Sequence, residues 1–109
     1  AGRMNLLELH CKPLEGHAAM NAAQIEQNLR LLSGWLLADG AIDKTFRFDD
    51  YHRTMAFVNA VAWIAHREDH HPDIAFGYNR VHVRFNTHSV GGISINDFIC
   101  AAKVDALLV

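Results

Sequence analysis

The chain has 109 residues, half of them apolar, and its 12 acidic and 10 basic side chains give a formal charge of -2. That length suits one domain and leaves no room for a second core. The charges are spread along the chain, so no basic block offers a footprint for direct contact with nucleic acid or an anionic lipid surface. No apolar run approaches the roughly 20 residues a membrane span requires; Met55 to Ala65 comes nearest and is interrupted by Asn59. The N-terminus also lacks a charged-then-apolar leader, and a cytoplasmic protein is expected. A domain this small would bury more of its apolar surface against a partner subunit. Cys11 and Cys100 stand far apart, fit no metal spacing or disulfide framework, and read as buried, reduced thiols.

Residues 1–20 read as an N-terminal arm: from Met4 to Gly16 a short Leu6-Leu7 cluster, Cys11, Pro13 and Gly16 follow without a sustained period. Asn21 and Gln24 have capping-box spacing, and Ile25, Leu29 and Leu32 recur at helical intervals, so a helix is predicted from Ala22 to Ser33, closed by Gly34. Trp35-Leu36-Leu37 and Ile42 to Phe48 form a hairpin around Asp39-Gly40, with Lys44 marking a wet end of the apolar face. Asp49 or Asp50 caps a long helix from Tyr51 to Asp69, with Phe57, Val58, Val61, Ala62 and Ala65 as its apolar stripe. Beyond Pro72, Ile74 to Tyr78 and Val81 to Thr87 make a second hairpin, with Val81, Val83 and Phe85 on one face and His82, Arg84 and Asn86 on the other. Gly91-Gly92 turns the chain into a last helix, capped by Ser94 and Asp97 and carrying Ile95, Phe98, Ile99, Ala102 and Leu108. The order helix, hairpin, helix, hairpin, helix predicts an α+β fold, one four-stranded antiparallel sheet with three helices on one face.

Titratable rings concentrate between Asp69 and His88. Pro72 lacks an amide proton and pushes His71 toward extended geometry, so His70 and His71 leave a helix end facing different ways. Free carbonyls at a helix C-terminus favour imidazolium, and Glu68, Asp69 and Asp73 would add to that effect where they lie close. Imidazoles titrating near neutral pH suit proton transfer, although two surface histidines can also simply end a helix. His66 and His70, four residues apart, have a spacing that lets two rings share a zinc ion, but the glutamate that follows the first histidine in HExxH proteases is missing. His82 falls on the strand face turned from the core, as a sheet-surface or interface residue. There is no GxSxG elbow, and Gly91-Gly92 is too short to cradle a phosphate.

His70-His71-Pro72-Asp73, Tyr78-Asn79-x-Val81-x-Val83, Thr87-His88, Gly92-Ile93-Ser94 and Asp97 together resemble the signature of the pterin-4a-carbinolamine dehydratases, also known as dimerization cofactors of a homeodomain transcription factor. Gly34-Trp35, Phe46-x-Phe48 and Asp50-Tyr51 extend the resemblance upstream, over roughly Asn21 to the C-terminus. It implies a helix-covered antiparallel sheet, a homodimer or homotetramer, and dehydration of 4a-hydroxytetrahydropterin to quinonoid dihydropterin without metal or cofactor. By position, the family's active-site histidines fall on His70, His71 and His88. Asp97 matches the nearby acid, with Asp73, Thr87, Ser89 and His66 as substrate-binding or supporting residues. The implied chemistry has His70 and His88 as the main proton donor and acceptor, with His71 orienting the pterin. Many family members carry glutamate where this chain has His66. The resemblance also implies an aromatic amino acid hydroxylase in the same pathway and, as seen in animal members, a transcription factor partner.

Overall fold

The structure is a computed structural model that describes residues 6–108. Residues 1–5 and 109, the two ends of the predicted domain and the start of its arm, lie outside the described residues. After a 3₁₀ turn at Leu6–Glu8, the elements are α1 (Ala22–Leu29), β1 (Leu36–Ala38), β2 (Ala41–Arg47), α2 (Tyr51–Glu68), β3 (Asp73–Phe76), β4 (Arg80–Phe85), a 3₁₀ turn at His88–Val90, and α3 (Ile95–Ala106). The α+β architecture is the one the sequence order predicts. The four strands form one antiparallel sheet in the order β1-β2-β4-β3, so the two hairpins join through β2 and β4. Among the described residues no helix is long and apolar enough to cross a membrane.

Alternation decides which face of the sheet is covered. Ile42, Phe46, Val81, Val83 and Phe85 are buried together with Phe57 and Val61 of α2 and Phe98, Ile99 and Val104 of α3. His82 and Arg84 lie on the opposite face, less deeply covered. The first hairpin turns on Asp39 and Gly40, both with positive φ (49° and 77°), the backbone of a type I′ loop whose twist matches the strands. Lys44 sits on the core side, half-buried: its ammonium pairs with Asp105 at 2.9 Å and donates to the Ser33 carbonyl at 2.7 Å. The predicted wet end is therefore an internal latch from β2 to α3, and Trp35 Nε1 donates to the same Asp105 at 3.0 Å.

Element ends and one apolar stripe shift, and the second hairpin pairs over Asp73–Phe76 and Arg80–Phe85 rather than Ile74 to Tyr78 and Val81 to Thr87. Helix α1 keeps its Asn21–Gln24 capping box but ends at Leu29 rather than Ser33; Leu31 and Leu32 bond back three residues, tightening the chain before Gly34 takes the left-handed turn. In α2 the buried stripe is Thr54, Phe57, Val61, Ala65 and Glu68, while Ala62 faces solvent. Leu108 lies beyond α3 and is exposed, since the helix ends at Ala106. The arm is also more ordered than a tail: Leu6 and Leu14 are buried, and Lys103 of α3 donates to the Leu7 carbonyl.

Candidate active site

Helix α2 ends before the proline can act. Asp69 takes a left-handed conformation (φ 51°, ψ 43°), its N–H bonds to the His66 carbonyl, and the His70 N–H reaches the Ala65 carbonyl at 3.1 Å. This is a Schellman closure, made with aspartate where glycine is usual. It turns the chain off the helix axis, so His70 no longer follows His66 on one helical face. His66 is exposed and packs its ring on Trp63, 5.7 Å between centroids. Two imidazoles at helical spacing thus do not converge, and among the described residues no group of three His, Cys, Asp or Glu is placed to hold a metal ion.

His70 turns inward instead. Its Nε2 lies 2.6 Å from Asp97 Oδ1, and its ring stacks on Phe85 at 5.9 Å and 8° between planes. The Asp97 carboxylate is fully buried, and each oxygen has its own task. Oδ2 accepts from the Ser94 backbone N–H and the Thr87 hydroxyl, both at 2.9 Å; Oδ1 is left for the histidine. Ser94 Oγ lies 2.7 Å from Thr87 Oγ1. The capping box of α3 is therefore also the support of the ring. An acceptor-only carboxylate requires the proton on Nε2, which leaves Nδ1 of a neutral His70 as the proton acceptor.

A cavity of about 250 Å³ lies beside this ring, lined by Lys12, Leu14 and Glu15 of the N-terminal segment together with His70, Thr87 and Ser89. Of the residues singled out by sequence, His70, Thr87, Ser89 and Asp97 are thus drawn together. His71 and His88 are exposed, on either side of the β3–β4 hairpin, and neither lines the cavity. Asp73 is exposed at the start of β3, opposite Arg84.

Sequence reasoning missed the contacts that hold the N-terminal segment at this cavity. Glu68 is buried at the end of α2, where its carboxylate accepts from the Cys11 N–H at 2.8 Å and from His10 Nδ1 at 3.0 Å. Burial opposes its charge, but the Cys11 amide, the His10 ring and the nearby Lys103 outweigh that and hold the carboxyl below the ordinary glutamate range. Asn96 brackets Lys12 from both sides, its Oδ1 accepting from the Lys12 N–H at 3.2 Å and its Nδ2 donating to the Lys12 carbonyl at 2.8 Å. Cys11 and Cys100, remote in sequence, have sulfurs 3.4 Å apart, both as free thiols. The bond to Cys11, then burial, pushes the Cys100 thiol far above its usual range. Helical period alone places Glu68 on the stripe of Val61 and Ala65, and that was the available signal.

The fold and site are those of a small α+β protein with a helix-covered antiparallel sheet and a buried carboxylate holding a histidine beside a cavity. The family profile described as pterin 4 alpha carbinolamine dehydratase matches residues 18–107, and the chain belongs to that family. A protein of Nitrosomonas eutropha, named provisionally as a pterin-4-alpha-carbinolamine dehydratase, is 53% identical over 107 residues, covering 96% of this chain and 95% of its own. A relative from Xanthomonas campestris with the same provisional name is 56% identical over 105 residues, covering 94% and 89%. Among solved structures, a protein of Brucella melitensis described as a transcriptional coactivator/pterin dehydratase superposes with a TM-score of 0.78 at 34% identity, over 82% of this chain and 97% of that one. A pterin dehydratase-like protein identified as a RuBisCO assembly factor in the alpha-carboxysome gives 0.59 at 30% identity, over 68% and 88%.

Proposed function

We propose that this chain eliminates water from 4a-hydroxytetrahydropterin by histidine acid-base catalysis and so returns the cofactor of an aromatic amino acid hydroxylase to its cycle. The reaction breaks the C4a–O bond: a proton goes to the departing hydroxyl, which leaves as water, and the adjacent ring nitrogen loses its proton as the C4a=N bond forms. The observation that carries the reading is His70, stacked on Phe85, bonded to the buried Asp97 and lining a cavity of about 250 Å³. In this reading Nδ1 of His70 takes the ring-nitrogen proton, and His88 delivers the proton to the hydroxyl. His71, next to Pro72, binds and orients the pterin, with Thr87 and Ser89 at the cavity wall and Asp73 and His66 further out. Positioned acid-base groups of this kind supply about 10²- to 10⁴-fold in rate. No cofactor or metal is needed for the elimination itself.

A homodimer or homotetramer belongs to the same reading, in which a second copy would cover Leu36 and Leu37, the adjacent exposed leucines of edge strand β1. The test is the loss of 4a-hydroxytetrahydropterin followed by ultraviolet absorbance, with the parent chain and with a His70→Ala, His88→Ala double variant. Acceleration by the parent that collapses in a folded double variant is the expected result. A parent without acceleration would overturn the reading and leave the chain as an interaction protein.

A further inference from the structure

Three separate contacts fasten the N-terminal segment, and each lands beside a residue of the site. Glu68, which binds the Cys11 amide and the His10 ring, stands two residues before His70. Asn96, which brackets Lys12 through both its carbonyl and its N–H, adjoins Asp97. Cys100, against which the Cys11 sulfur rests, follows one turn later on α3. The segment is thus in register with the two elements that carry the histidine and its carboxylate. It also lines the cavity together with His70 and Thr87, contributing Cys11, Lys12, Leu14 and Glu15.

A glutamate side chain only 4% exposed is an expensive way to end a helix unless its charge is used. Here it is used on a backbone amide that would otherwise be left without a partner once the segment folds down. A bidentate amide clamp on the next residue is likewise more than packing requires, because it fixes the peptide plane as well as the position.

We propose that residues 10–15 form the substrate-facing wall of the pterin pocket, and that Glu68 and Asn96 are the positioning residues that hold that wall against His70 and Asp97. This rests on the proposed function for the identity of the ligand. The wall contributes to pterin affinity; the proton transfers belong to the histidine side. Loosening it therefore weakens binding and raises KM while kcat changes far less.

The experiment uses the full chain with Glu68→Ala, Asn96→Ala and Glu68→Gln. The last keeps an oxygen to accept from the Cys11 N–H and an N–H to donate to His10. Hydrogen exchange reports the wall directly, and fluorescence titration with a 7,8-dihydropterin, which has no 4a-hydroxyl to lose, reports affinity without turnover. We expect slow exchange at Cys11 and Lys12 in the parent and fast exchange there in the two alanine variants, with α2 and α3 still protected. Kd for the dihydropterin should rise about tenfold, the scale of one hydrogen bond to a charged group, and Glu68→Gln should restore it. Free exchange of the segment in the parent overturns the proposal, as does an unchanged Kd in an alanine variant whose segment exchanges freely. A parent that binds the dihydropterin but dehydrates nothing defeats the proposed reaction alone, and the Kd comparison then still decides for or against the wall. A parent that does not bind it overturns both.

Discussion

Replacing Asp97 with asparagine separates the two tasks of one buried carboxylate. The Oδ2 position accepts from Ser94 N–H and the Thr87 hydroxyl, and Oδ1 faces His70 Nε2 at 2.6 Å. An amide has one acceptor. If its oxygen keeps the two cap bonds, its NH₂ points at His70 and forces the ring to the other tautomer, with the proton on Nδ1. The proposed base then starts the reaction already protonated. Losing an oriented base of this kind costs about 10²- to 10⁴-fold, so kcat of Asp97→Asn should fall by at least about 100-fold. The fold should survive, because the side chain is isosteric and two of its three bonds remain. One weakened charge-assisted bond is worth about 1.5 to 3 kcal/mol, or roughly 6 to 20 °C in Tm for a domain of this size. The assay is 4a-hydroxytetrahydropterin loss at 25 °C, run beside a thermal melt. A folded Asp97→Asn protein with kcat within about threefold of the parent would show that Asp97 serves only the cap of α3.

Gly40→Ala should destabilise by about 1 to 2 kcal/mol in denaturant titration through its positive φ alone, since an added Cβ meets nothing within 4 Å. Asp105→Ala removes the acceptor of Trp35 Nε1 and leaves Lys44 only the Ser33 carbonyl, and should cost about 2 to 3 kcal/mol in denaturant titration, with a blue shift of Trp35 fluorescence as the local readout. Glu68, whose folded pKa lies below its ordinary value of 4.5, contributes stability present above that value and lost as pH falls through the folded pKa. The Tm of the parent should therefore drop more steeply below pH about 4.5 than that of Glu68→Gln. Because the contact with Cys11 and burial keep the Cys100 thiol protonated, iodoacetamide at mildly alkaline pH should label Cys11 well before Cys100, read by peptide mass.

The layers of the fold were legible because local signals agreed with one another. Alternation along β4 put Val81, Val83 and Phe85 in the core, Asp39-Gly40 named the turn of the first hairpin, and Asn21–Gln24 and Ser94–Asp97 marked helix starts by spacing. What failed was local evidence for an end. Leu32 sustains the helical period past Leu29, but the chain there is tightening into turns, and period cannot distinguish the two. At α2 the proline was the obvious stop, yet the closure is Asp69 in a left-handed conformation, which aspartate tolerates better than most residues but which no pattern announces.

The site divides along the same line. Asp97 carried two readings, helix cap and partner of a histidine, and spacing could not choose because a carboxylate has two oxygens and the chain uses both. His66 and His70 looked like neighbours only on the assumption of an unbroken helix; the turn at Asp69 that separates them is also what aims His70 at Asp97. The arm was illegible for a different reason. Its contacts to Glu68, Asn96 and Cys100 span 57, 84 and 89 residues of chain, and each depends on a backbone amide or a lone polar atom rather than a periodic stripe. Hydrophobic pattern finds surfaces that must be buried, and here it finds the sheet and its helices. A wall held by single hydrogen bonds leaves its trace in the folded chain, in a buried glutamate whose charge no stripe of Val61 and Ala65 would call for.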